Sequence, residues 1–156
     1  MKAAAVFLVV TLACCFPAFS SEPSPVEIPN TLDQAYEVLN RLLSPDDRHA
    51  FMSTPEREAV IGAHLGLGMY IRNEWFRSGK SALPGVLHEL GARSLDDMSS
   101  MVLTSYWRHL NGKPIEVEKQ GACYRRWSDE AERLESEAKA KGESSYQLPS
   151  FDCLGN

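Results

Sequence analysis

The chain has 156 residues, of which 16 are lysine or arginine and 21 are aspartate or glutamate, so its formal net charge is −5 at pH 7. This length corresponds to one ordinary domain, and a second hydrophobic core is not expected. Nucleic-acid binding needs a concentrated positive field, which this acidic chain does not show. The composition therefore argues against a nucleic-acid-binding module.

The first twenty residues have the pattern of an export signal. Lys2 supplies a basic start, residues 3–16 form an apolar run, and Ala18 and Ser20 provide small side chains at the two positions that a signal peptidase recognises. The run is shorter than the roughly 20 apolar residues that span a bilayer. We expect a signal peptide at residues 1–20, a periplasmic or secreted mature protein, and no transmembrane anchor after cleavage. Residues 11–14 loosely resemble a lipobox, so a lipoprotein is the alternative.

The cysteines follow from that expectation. Cleavage removes Cys14 and Cys15 and leaves Cys123 and Cys153 as the two cysteines of the exported chain. Outside the reducing cytosol, a lone pair usually forms one disulfide. If a helix follows Cys123, an extended tail is long enough to return to it. We predict a Cys123–Cys153 disulfide, with two unpaired thiols as the alternative.

The next segments are predicted to be a flexible leader and two helices. Residues 21–29 contain three prolines and few apolar side chains, which is typical of an unstructured leader. A capping box at Thr31 starts a first helix with leucines at helical spacing. Ser44 and the following proline start a short second helix that extends through Phe51.

A longer helix is predicted over residues 54–76. Gly66 and Gly68 in its interior destabilise a helix by about 1 kcal/mol each, so we expect them where a neighbouring helix approaches closely. Ala59, Tyr70, Asn73 and Glu74 are expected outside the buried stripe. At 100° per residue, that stripe would consist of Val60, Ile61, His64, Leu67, Gly68, Ile71 and Trp75.

Three further helices complete the predicted fold. One covers residues 83–90 and ends at Gly91, and the next begins after Ser94 and ends at Leu110. A heptad pattern from Val117 predicts a long amphipathic helix, with the remaining seam positions at Tyr124, Trp127, Ala131, Leu134 and Ala138. The fold class is therefore all-α, a single small domain of about five helices with a C-terminal amphipathic helix. In the helix before it, the expected buried stripe is Leu95, Met98, Val102, Tyr106 and Leu110, with Ser99 and His109 among them.

Known catalytic and metal-binding templates each fail at a required position. Ser99 lies inside a predicted helix without the strained turn of a serine hydrolase, and Asp96 and Asp97 are explained by capping. The four histidines, His49, His64, His88 and His109, fall on different predicted elements, so neither a metal nor another cofactor is expected. His64 in an apolar stripe, near Arg72, could have a perturbed pKa or could be an ordinary core histidine.

Three runs together resemble a family of small bacterial domains of unknown function: residues 64–75 (HLGLGMYIRNEW), 96–100 (DDMSS) and 105–112 (SYWRHLNG). The resemblance begins near Ile28 and fades after residues 113–115. It implies a helical family domain over residues 30–115, and residues 116–156 then form a C-terminal extension and tail. The family has no established activity, so the resemblance implies no catalytic residue. The residues that match its recurring polar and aromatic positions are His64, Arg72, Asn73, Trp75, Asp97, Ser99, Tyr106 and Arg108.

The sequence leaves two classes of function open. The first is a non-enzymatic binding or structural module of the bacterial cell envelope, with an unknown protein or small molecule as its partner. The alternative is a hydrolase-type enzyme with a site at His64, Arg72 and Asn73, in a cleft between the two helices that carry the motifs. The first is favoured because caps and amphipathic helices are present while the catalytic templates fail.

Overall fold

The computed structural model describes residues 27–151 together with residues 153 and 154, so the predicted signal peptide and most of the predicted leader lie outside the described residues. Every regular element in this part of the chain is helical. The α-helices are α1 (Leu32–Leu42), α2 (Pro45–Ser53), α3 (Glu56–Ala63), α4 (Leu83–Leu90), α5 (Leu95–Leu110) and α6 (Val117–Lys141), and two π-helical segments, π1 (His64–Gly68) and π2 (Ile71–Phe76), continue α3. The all-α prediction is confirmed. The described residues contain more helical elements than the five or so predicted, because the chain from 56 to 76 divides into α- and π-helical parts.

Side-chain caps set the starts of three helices. Thr31 accepts a hydrogen bond from the Gln34 backbone at the start of α1, and Ser44 accepts one from Asp47 at the start of α2. Ser94 and Asp97 form a complete capping box on α5. Each cap satisfies backbone N–H groups that have no partner within the helix. Local sequence therefore determines these boundaries, as predicted.

Helix α5 is the centre of the fold, because every other helical element is in contact with it. Helices α4 and α6 also contact each other. The residues of α5 from Met98 to Arg108 are buried except Ser100, which is half-buried. The predicted stripe was too narrow: Leu95 and Leu110 are half-buried and His109 is exposed. A helix that is surrounded by other helices buries all of its faces, and no single stripe describes it. The additional buried residues are Met101, Leu103, Thr104, Ser105 and Trp107.

The region from α3 to π2 departs from the predicted straight helix. The i→i+5 bonds of a π-helix change the angle between successive side chains, so one 100° projection cannot be carried from α3 through π1 and π2. Ala59 is buried and Ile61 is 47% exposed, the reverse of the prediction. Gly68 is buried against neighbouring side chains as expected, but Gly66 is exposed with open space around its Cα. The expectation of tight packing at Gly66 was therefore wrong.

Helix α6 crosses the end of α4 at two glycines. A methyl group on Gly121 would overlap the Leu90 carbonyl, and a methyl group on Gly91 would overlap the Gly121 backbone. Arg125 strengthens this crossing by donating hydrogen bonds of 3.0 and 3.1 Å to the carbonyl oxygens of Glu89 and Leu90. These contacts fix α6 to the body of the domain through its first turns.

The chain reverses direction after α6 and returns along it. Gly142 adopts a φ of 72°, and the backbone N–H groups of Gly142 and Glu143 cap the end of the helix. The tail then brings Cys153 to Cys123, with a Cα–Cα separation of 5.6 Å, and the predicted disulfide is confirmed. The predicted seam of α6 is half-buried or buried along its length. In the described residues, no helix is both long enough and apolar enough to cross a bilayer.

Candidate functional site

Arg72 is the centre of a polar network between π2 and α5. The residue is only 8% exposed. Its Nη1 donates to Ser99 Oγ at 2.9 Å, its Nη2 donates to the His64 carbonyl at 3.2 Å, and its Nε lies 3.2 Å from Asp96 Oδ1. A buried guanidinium has to be both paired and hydrogen-bonded, and here all three of its nitrogens have partners.

Two local features place Arg72 in this position. A Cβ atom at Gly68 would lie 3.1 Å from Arg72 Nη1, so the glycine leaves the space that the guanidinium occupies. Ser99 Oγ in turn donates to the Asp96 carbonyl at 3.0 Å, which orients the hydroxyl to accept from Arg72. Gly68 therefore serves this network as well as the packing of Leu103, whose side chain is also adjacent.

His64 and Asp96 form the outer part of the network. His64 Nε2 lies 3.6 Å from Asp96 Oδ1, and the two side chains are 39% and 63% exposed. Sequence spacing identified no carboxylate partner for His64, because Asp96 lies 32 positions further along the chain on a different helix. The explanation of Asp96 by capping was also wrong. Asp97 makes the capping box, whereas Asp96 pairs with Arg72.

This network borders a cleft of about 320 Å³ between the family-like domain and the C-terminal extension. We call it the junction cleft. One side belongs to π1 and α5, and the other to α6 and the tail. Such a mixture of apolar walls and a few polar groups is typical of small-molecule sites, although the volume is at the low end of their range. The lining residues are His64, Asp96, Asp97, Ser100, Tyr124, Trp127, Cys153 and Leu154.

The structure brings together four of the eight residues singled out from the sequence and separates the others. His64, Arg72 and Ser99 belong to the network, and Asp97 lines the cleft beside it. Asn73 is exposed, and its side chain accepts a hydrogen bond from Arg77. Trp75 is fully buried and packs edge-on against Tyr70.

Arg108, a further member of that set, lies at the opposite end of α5. It is nine residues from Ser99, which corresponds to about 14 Å along a helix. Its guanidinium donates to Glu56 Oε1 at 2.8 Å and to the Ile115 carbonyl at 3.2 Å. Both side chains of the Arg108–Glu56 pair are largely buried, at 7% and 12% exposure. This pair joins the start of α3 to the end of α5, so its role is to stabilise the fold.

Tyr106, the last of the eight, belongs to an aromatic cluster in the core. Its hydroxyl donates to Asn40 Oδ1 at 2.9 Å, and its ring stacks with those of Tyr36 and Phe51. Burial raises the pKa of Tyr36 to about 12, although a hydrogen bond with Ser105 partly opposes the shift. Burial also raises the pKa of Tyr106 above its ordinary value. These hydroxyls stay protonated at neutral pH and support packing.

The histidines do not converge. His49 Nδ1 lies 3.0 Å from Ser53 Oγ, His88 is exposed on α4, and the His109 ring stacks on Tyr36 at 4.6 Å. Across residues 27–151, 153 and 154, no group of three or more His, Cys, Asp or Glu side chains is placed to hold a metal ion.

The fold and the network define a small helical domain with a buried arginine that joins two motif-bearing segments, extended by a disulfide-linked helix and tail. The chain belongs to the family described as "Domain of unknown function (DUF6794)", whose model matches residues 28–110. Helix α6, the tail and the disulfide lie beyond the matched residues. No match to the chain was found among the curated proteins or the solved structures.

Proposed function

We propose that this chain is an exported, non-enzymatic binding module of the bacterial cell envelope and that the junction cleft is its ligand site. Two observations support export. The first twenty residues have the pattern of a signal peptide, and the Cys123–Cys153 disulfide belongs to a type of cross-link that persists in oxidising compartments.

The position of the cleft is the main support for this proposal. It is lined from one side by His64 and Asp96, which belong to the Arg72 network, and from the other by Trp127 and Cys153 of the extension. A cleft between different parts of a fold is a frequent place for ligands, because each part can supply different chemistry. Here the family-like domain supplies hydrogen-bonding and charged groups, and the extension supplies an aromatic wall.

The lining also defines the chemistry of the ligand. Arg72 is largely buried behind Asp96, so it does not line the cleft. The polar residues that do are His64, Asp96, Asp97, Ser100 and Tyr124. A ligand that suits these walls has a small apolar or aromatic body and an end that donates hydrogen bonds. The aromatic face of Trp127 supplies contact area for that body.

Titration with the neutral solvatochromic dye Nile red, which has an aromatic body and no hydrogen-bond donor, tests the apolar part of this site. The oxidised protein is expected to bind the dye with saturable fluorescence, and Ser100→Phe, which fills the cleft from α5, is expected to weaken binding by about tenfold, which corresponds to about 1.4 kcal/mol. Ser136→Phe is the matched control, because Ser136 is an exposed residue of α6 that is not among the cleft residues. Equal dye binding by all three proteins would contradict the proposal.

The hydrolase alternative has a partial geometric basis. His64 and Asp96 form an exposed pair, as a general base and its orienting carboxylate would. Ser99, however, is fully buried and accepts from Arg72, and Asn73 lies on the exposed face of π2. Hydrolysis of p-nitrophenyl acetate that is lost in a folded His64→Ala protein, and kept in His49→Ala, would favour the enzyme instead.

A further inference from the structure

We infer that disulfide formation completes the junction cleft, so that ligand binding depends on the oxidation state of Cys123 and Cys153. This inference rests on the proposed function and adds a form of regulation to it. The protein would then be competent to bind only after it reaches an oxidising compartment.

The disulfide holds one wall of the cleft in place. Cys153 and Leu154 line the cleft, and both lie in the tail that follows α6. The tail has no regular structure of its own in its described residues. The half-buried Phe151 packs under the Arg126 guanidinium at 4.3 Å, and Leu154 packs against the edge of the core. The cross-link to Cys123 adds the one covalent constraint on the described residues of the tail.

Helix α6 does not depend on the disulfide for its own position. The Gly91–Gly121 crossing and the hydrogen bonds from Arg125 to α4 fix its first half to the domain. Gln120 adds a buried hydrogen bond of 3.3 Å to Ser105 Oγ on α5. Reduction should therefore release the tail and leave Trp127 in place, which removes one wall of the cleft while the helical body stays folded.

The chemistry is a thiol–disulfide exchange. In oxidation, the two cysteine thiols lose two protons and two electrons and their sulfurs form one bond, while an external disulfide accepts the electrons and protons and becomes two thiols. A dithiol reductant such as dithiothreitol reverses the step and is itself oxidised to a cyclic disulfide. Cys153 is 8% exposed, so exchange on the folded protein requires the tail to open.

Nile red binding by the oxidised, reduced and reoxidised protein tests the inference, together with Cys153→Ser. The reduced protein and Cys153→Ser are expected to bind Nile red at least about tenfold more weakly. This corresponds to a tail that occupies its cleft-lining position in about a tenth of the molecules or fewer. Reoxidation of the wild type should restore binding. Far-ultraviolet circular dichroism should show that the reduced protein keeps most of its helix.

Each outcome has a distinct meaning. Equal binding by the oxidised and reduced proteins overturns the dependence on oxidation and leaves the binding proposal standing. No saturable binding by the oxidised protein overturns the proposed function itself. Global loss of helix on reduction also overturns the inference, because the inference requires the helical body and α6 to stay folded without the cross-link.

Discussion

Arg72 and Ser99 meet in the interior of the protein, where Arg72 Nη1 donates a 2.9 Å hydrogen bond to Ser99 Oγ across 27 positions of sequence. The contact connects π2 to the central helix α5 directly behind the junction cleft. It also connects two of the three runs of sequence that carry the family resemblance. The same guanidinium pairs with Asp96, so the packing of the core and the charge at the cleft are coupled.

Replacing Arg72 by methionine is expected to destabilise the fold by about 2–4 kcal/mol, because Ser99 and the His64 carbonyl lose their donor and Asp96 loses its cation. Urea denaturation followed by circular dichroism measures this change. Arg77→Met is the control, since Arg77 is an exposed residue of the same segment and should change stability by no more than about 0.5 kcal/mol. Similar losses in both variants would contradict a central role for Arg72.

The glycine crossing gives a second prediction. Gly121→Ala should destabilise the protein by about 3 kcal/mol or displace α6, because its methyl group would overlap the Leu90 carbonyl. Gly62→Ala has open space around it and should be neutral or stabilise by up to about 1 kcal/mol through helix propensity. Thermal unfolding of the two variants measures the difference. If both alanines have the same effect, α6 does not cross α4 at this glycine.

A third prediction concerns the buried ion pair at the far end of α5. Glu56→Ala leaves the Arg108 guanidinium without its closest carboxylate, and we expect a loss of about 3 kcal/mol in unfolding free energy. Glu58→Ala removes an exposed carboxylate from the same turn of α3 and should cost less than about 1 kcal/mol. Ligand binding at the junction cleft should be unchanged in folded Glu56→Ala, since the pair lies at the other end of α5.

The free energy of unfolding should fall at alkaline pH, because the buried Tyr36 hydroxyl has a raised pKa. The pKa of Tyr36 is raised to about 12 from an ordinary value of 10.0. The native state therefore keeps a proton that the unfolded chain releases, so this contribution to stability is complete below pH 10 and is lost as pH rises towards 12. Tyr36→Phe should show a weaker fall in stability over that interval. An identical fall in both proteins, measured by urea denaturation at each pH, would exclude Tyr36 as its cause.

Local signals determined what could be predicted from the sequence. Caps at Thr31, Ser44 and Ser94 set the starts of α1, α2 and α5, and the heptad pattern set α6, because each signal lies within a few residues of its effect. The two cysteines could be paired because no others remained after the predicted cleavage. The burial pattern predicted over residues 54–76 failed because a single 100° projection was carried across α3 and the two π-helical segments that follow it.

The site needed information that local sequence does not contain. Asp96 could not be assigned to Arg72 or His64 because the partners lie on different elements and meet only after folding. The roles of Gly121, Glu56, Ser100 and Trp127 were missed for the same reason. The family resemblance grouped four further residues with His64, and the structure gives each of them different surroundings. Asn73 lies on the surface, Trp75 in the core, Tyr106 in an aromatic cluster and Arg108 in a buried ion pair.

The three tryptophans allow the most direct test of the binding proposal. Trp75 is buried in the core, the Trp107 indole donates to the Thr54 carbonyl at 2.9 Å, and Trp127 lines the junction cleft. The experiment is a ¹H–¹⁵N spectrum of the oxidised protein titrated with Nile red, in which Trp127→Phe assigns the Trp127 indole resonance. We predict a saturable shift of that resonance, while the indole resonances of Trp75 and Trp107 stay in place. A stationary Trp127 resonance at dye concentrations that saturate the fluorescence would contradict the binding proposal.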